Sequence, residues 1–101
     1  MKVIETTQVI GGKRYSTKTA TLLAGDDYWD GRNYERGGAN YFLFRTPCGH
    51  YFGQLRSKWE SADDGALTPL SQDVAIRLYE QLRERRVSFE EAFPGVEIEE
   101  A

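Results

Sequence analysis

The amino-acid sequence predicts a small α+β domain. Its antiparallel sheet comprises an N-terminal hairpin and a central 41–46/50–59 hairpin, packed against a C-terminal helix over 72–86 and a short helix over 89–93. Three observations predict it. The N-terminal and central segments carry β-branched and aromatic runs separated by turn residues. Beyond position 70 the apolar residues recur at helical spacing instead. The chain has 101 residues, 40% of them hydrophobic and 29% charged, which is the size and balance of one globular domain spanning 1–101.

The elements follow in order. Val3, Ile4, Thr6, Thr7, Val9 and Ile10 form a β-branched run with little helical period. Gly11-Gly12 supplies a two-residue turn tolerant of positive φ, and Lys13-Arg14-Tyr15 begins the return strand. Ser16-Thr17-Lys18 breaks it, and Thr19–Ala24 reads as another short strand. Asp26–Asn40 is a polar, glycine-bearing loop, long enough to be either functional or mobile. Thr46-Pro47-Cys48-Gly49 then separates two aromatic runs. Proline at the second turn position and glycine at the fourth fit a type I turn closed by a glycine bulge. That register pairs Phe44 with Phe52 and Tyr41 with Leu55.

Helix signals follow. Ser71 is placed to cap the first helix, with Leu70 packing on Ala75 as a staple. Val74, Ala75, Leu78, Tyr79 and Leu82 form its apolar stripe, and Arg83, Arg85 and Arg86 suit the negative end of its dipole. Ser88-Phe89-Glu90-Glu91 is a capping box for the second helix, which Pro94-Gly95 stops.

Composition restricts the function. The net charge of −3 argues against a protein that lives on phosphate contacts, although a local patch can act inside an acidic whole. Cys48 is the single cysteine, so no internal disulfide forms, and a reducing compartment is expected. No apolar run approaches the ~20 residues of a membrane span, and the N-terminus has no apolar stretch of signal-peptide length, so the expected location is cytoplasmic, with no membrane partner.

Chemistry-bearing constellations are scarce. Cys48 and His50 have no further Cys or His to complete a zinc site and no third group to orient a nucleophile–base pair, so they read as turn and strand-end residues. Asp26, Asp27 and Asp30 suggest a calcium loop, but Tyr28 and Gly37 occupy its third and twelfth positions. The glycine pairs lack phosphate-loop spacing. The expectation is a protein that is not an enzyme, with no cofactor and no catalytic or metal residues.

The central hairpin carries the sharper signal. One face shows Phe42, Phe44 and Phe52, which are expected to pack on Ala75, Leu78, Tyr79 and Leu82. The other shows Tyr41, Leu43, Tyr51, Leu55 and Trp59, flanked by Arg45 and Lys58. Two helices cannot easily cover both faces. Either the N-terminal hairpin folds over the second face, or that face meets a partner through its aromatic anchors. The candidate interaction surface is therefore Tyr41, Leu43, Arg45, Tyr51, Leu55, Lys58 and Trp59. A protein partner or a second copy of the chain is expected there. Nucleic acid, held by aromatic stacking with nearby cations, ranks second.

The run Ile10 to Ala20, then Leu43-Phe44-Arg45-Thr46-Pro47-Cys48-Gly49-His50-Tyr51-Phe52, then Pro69-Leu70-Ser71, resembles a loose group of short bacterial proteins. These open with Gly-Lys-x-Tyr-Asp-Thr-x-Thr-Ala and later carry a Leu-Tyr-Arg-Thr-x-x-Gly hairpin. Ser16 stands where the group has Asp or Asn. The group is common on phages and plasmids, and some similar small proteins are anti-CRISPR or other anti-defence inhibitors. The resemblance implies a mobile-element accessory protein acting on a host defence nucleoprotein complex.

Overall fold

The computed structural model of the chain describes residues 2–28, 31–32, 38–57 and 64–101. Two antiparallel sheets, an α-helix and a short helix make the expected small α+β fold. Strands β1 (Thr7–Ile10) and β2 (Lys13–Ser16) form a separate two-stranded hairpin. Its central glycines take φ of 59° and 78°, as a type I′ turn requires. The main sheet has the order β6-β5-β4-β3-β7, with β3 at Thr21–Gly25, β4 at Ala39–Arg45, β5 at Tyr51–Ser57, β6 at Leu67–Leu70 and β7 at Glu84–Arg85. Helix α1 spans Gln72–Gln81 and α2 spans Phe89–Ala92.

The central hairpin has the expected register, with Phe44 opposite Phe52 and Tyr41 opposite Leu55. Its turn closes as the residues dictate. Gly49 adopts φ 87°, its N–H donates to Thr46 O at 2.9 Å, and the Thr46 N–H donates to His50 O at 2.7 Å.

The sheet lies between two covers, and they are the reverse of the expectation. Phe42, Phe44 and Phe52 pack with Tyr15, Leu67 and Ile10, under the N-terminal segment and hairpin. The helices lie on the opposite face, where Ala75, Tyr79, Leu82 and Phe93 meet Leu43 and Tyr51. Apolar intensity does not distinguish two faces that are both buried; chain path does. Strand β6 ends at Leu70, opposite Tyr51, so α1 emerges on the Tyr51 side. A bulge between Leu22 and Ala24 adds to that side by placing both Leu23 and Ala24 in the helix-facing core.

Gln54 holds the other cover. It is fully buried, and its Nε2 donates to Ile4 O (3.1 Å), Thr6 Oγ1 (3.2 Å) and Gly65 O (3.1 Å). Its Oε1 accepts from the Ile4 N–H at 3.2 Å. Arg56 adds a bond to Lys2 O and pairs with Asp64 at 3.0 Å.

Strand β6, where the sequence predicts no strand, is an edge strand with its outward donors silenced. Leu67 N–H donates to Gln8 Oε1 at 2.8 Å, and Pro69 has no N–H. The helix expected to run through 86 stops at Gln81. Leu82 turns extended and the chain pairs Glu84–Arg85 with Gly25 and Ala24, giving β3 an edge partner. Arg85 still serves the helix end, reaching back to the carbonyls of Tyr79 (3.0 Å) and Glu80 (2.7 Å). Both helix caps are as the sequence indicates: Ser71 accepts from the Val74 N–H and Ser88 from the Glu91 N–H, each at 3.3 Å.

Candidate functional site

The expected interaction surface is divided by the fold. Leu43 is 0% and Tyr51 6% exposed, both beneath the helices. The Tyr51 ring lies 5.1 Å from that of Phe93, and its hydroxyl donates to Ala92 O at 3.1 Å. These two residues are core, because the helices cover the face expected to lie under the N-terminal hairpin or against a partner. Lys58 and Trp59 lie outside the described residues.

Three residues remain toward solvent on that face. Tyr41 and Leu55 face each other at the open end of the central hairpin, Tyr41 partly buried and Leu55 40% exposed. The Tyr41 side chain leans diagonally over Gly53, where a Cβ would collide with its ring. Burial raises the pKa of its phenol above 10.0. Its amide accepts support from the preceding loop, donating to Asp26 Oδ1 at 2.8 Å, and Asn40 Nδ2 donates to the same oxygen at 3.0 Å. Arg45 sits at the turn end of the hairpin, ~13 Å along the strand from Tyr41 at the usual rise per residue. Its Nε is buried without a hydrogen-bond partner among the described residues. The apolar Tyr41–Leu55 pair and Arg45 are therefore separate features.

A second feature lies at the turn end, on the Phe face. A cavity of ≈370 Å³ opens between β2 and the 46–50 turn, walled by Lys13, Arg14, Tyr15, Thr46, Cys48 and His50. The side-chain alternation of β2 points Lys13 and Tyr15 toward the sheet and Arg14 away from it, so Arg14 contributes at the rim. Cys48 and His50, read as turn residues, are brought beside a basic strand that lies more than thirty positions earlier in the chain. No local signal announces this meeting, which depends on how the N-terminal hairpin docks. No cluster of three or more His, Cys, Asp or Glu suited to a metal ion occurs among the described residues. Nor is any described helix long and apolar enough to cross a membrane. No protein-family model, curated protein or solved structure matches the chain.

Proposed function

We propose that the protein is a non-enzymatic interaction module, a mobile-element accessory that inhibits a host defence complex in the anti-CRISPR manner by occupying a binding surface. The observation that supports an interaction module is the Tyr41–Leu55 pair, and the mobile-element role rests on the sequence resemblance alone. Leu55 is 40% exposed at the open end of the central hairpin, and a partly buried tyrosine stands directly across from it. A rigid aromatic beside an exposed aliphatic on a strand pair is suited to anchor a protein partner. The competing reading, a nucleic-acid accessory that stacks bases on the central hairpin, loses its platform because Leu43 and Tyr51 are buried.

The test begins with capture of the partner from host lysate and then measures affinity with purified components. Tyr41→Ala and Leu55→Ser should each weaken that complex by ~1–3 kcal/mol, as loss of an interface anchor does, while circular dichroism shows an intact fold. Sedimentation of the free chain asks the same question of a second copy. Unchanged affinity and unchanged self-association in both variants would sink the proposal. Salt-dependent binding to oligonucleotides with no protein partner would favour the nucleic-acid reading.

A further inference from the structure

The cavity beside β2 is chemically one-sided. Its volume of ≈370 Å³ falls within the roughly 300–1,000 Å³ usual for small-molecule pockets. No Asp or Glu stands among the described residues that line it. Lys13 and Arg14 form no ion pair with any described residue. Tyr15 is only 6% exposed, its ring fixed edge-on against Phe52 at 5.6 Å. Its hydroxyl has no hydrogen-bond partner among the described residues, and Tyr15 lines the cavity. Thr46 is 8% exposed and its Oγ1 already accepts from the His50 N–H at 3.0 Å, which leaves its hydroxyl hydrogen to donate.

A phenol donor, a second hydroxyl donor and an ammonium with no ion pair among the described residues, all lining one space, call for a ligand that is negatively charged and rich in acceptors. A tetrahedral phosphate offers oxygens in several directions, matching donors that come from β2 and from the turn. The space exceeds a phosphate group several times over, and Pro47 supplies an apolar wall for an organic moiety. We propose that this cavity binds a phosphate monoester, with Lys13 as its charge partner and the Tyr15 and Thr46 hydroxyls as its donors. The site lies at the opposite end of the central hairpin from Tyr41 and Leu55, and its success or failure is independent of the interaction reading.

The experiment is an amide-resolved NMR titration of the full chain at constant ionic strength. The probes are inorganic phosphate, a nucleoside 5′-monophosphate, and an oligonucleotide with and without a 5′-phosphate, against sodium chloride as control. Saturable shifts confined to 13–16 and 46–50 are expected with the phosphorylated probes. Tyr15→Phe, which keeps the ring against Phe52, and Lys13→Ala should each weaken binding roughly tenfold, the scale of one hydrogen bond to a charged group. Tighter binding of the mononucleotide assigns the site to a free small molecule. Tighter binding of the 5′-phosphorylated strand assigns it to a chain end. The proposal is overturned if no probe saturates, if chloride reproduces the shifts, if the unphosphorylated strand binds equally well, or if both variants bind like the parent.

Discussion

Gln54→Ala should destabilise the protein by about 2–4 kcal/mol. The side chain is 0% exposed; its Oε1 accepts from the Ile4 N–H, and the two hydrogens of Nε2 are shared among Ile4 O, Thr6 Oγ1 and Gly65 O. A typical bond contributes ~1 kcal/mol net, and a buried group left unsatisfied costs ~1–3 kcal/mol. The two Ile4 groups belong to a residue that is 37% exposed, so water can replace part of what they lose. Gly65 is buried, and its carbonyl cannot recover a partner as readily. Full loss at Gly65 and partial loss elsewhere, together with the cavity left behind, give the stated range. For a domain of this size that corresponds to a fall in melting temperature of ~10–25 °C. The assays are urea unfolding followed by far-ultraviolet circular dichroism and hydrogen exchange at the Ile4 amide. The loss should be accompanied by faster exchange at Ile4, because the N-terminal segment is released from the sheet. A loss below about 0.5 kcal/mol with Ile4 protection unchanged would refute the reasoning and place the hold of that segment in the Phe42–Phe52 cluster alone.

Tyr51→Ala should cost ~3–5 kcal/mol, as a core cavity does, while Tyr51→Phe should cost about 1 kcal/mol for the lost bond to Ala92 O; chemical denaturation of both decides whether this residue is core. Asp64 has its pKa held below 3.8, first by the Ser57 N–H and then by Arg56. Its stabilising contribution is therefore fully present above pH 3.8 and is lost as pH falls through the depressed value, and Arg56→Ala should move the carboxyl titration seen by NMR upward.

Much of the fold was legible because it is set by local chemistry. Gly11-Gly12 can take the positive φ of the hairpin turn, Pro47 and Gly49 fix the central turn and with it the register, and Ser71 and Ser88 cap helices through their own hydroxyls. These outcomes depend on neighbours a few positions apart. Strand β6 escaped because it is only four residues long and contains Pro69, which reads against a strand, and its place at the edge is secured by Gln8, fifty-nine positions from Leu67. The arginine-rich stretch after Gln81 reads as helix in isolation. It becomes a strand because the exposed edge of β3 at Ala24 and Gly25 offers backbone partners that no helix end can match.

The candidate site divides along the same line. The two-sided hairpin, and the need to cover both faces, followed from the alternation of Phe42, Leu43 and Phe44. Which cover took which face did not. The sequence by itself determined strands β1 to β5, the capped starts of both helices and the register of the central hairpin, since each rests on dihedral preference and on bonds between near neighbours; β6, β7 and the end of α1 did not follow from it. Only the tertiary structure decided that Leu43 and Tyr51 are core, that Leu55 stays exposed, and that Lys13 and Tyr15 stand beside His50. Those facts depend on where β6 releases α1 and where Gln54 captures the N-terminal segment. Both are long-range events whose partners are indistinguishable in sequence from other apolar and polar residues of the same type.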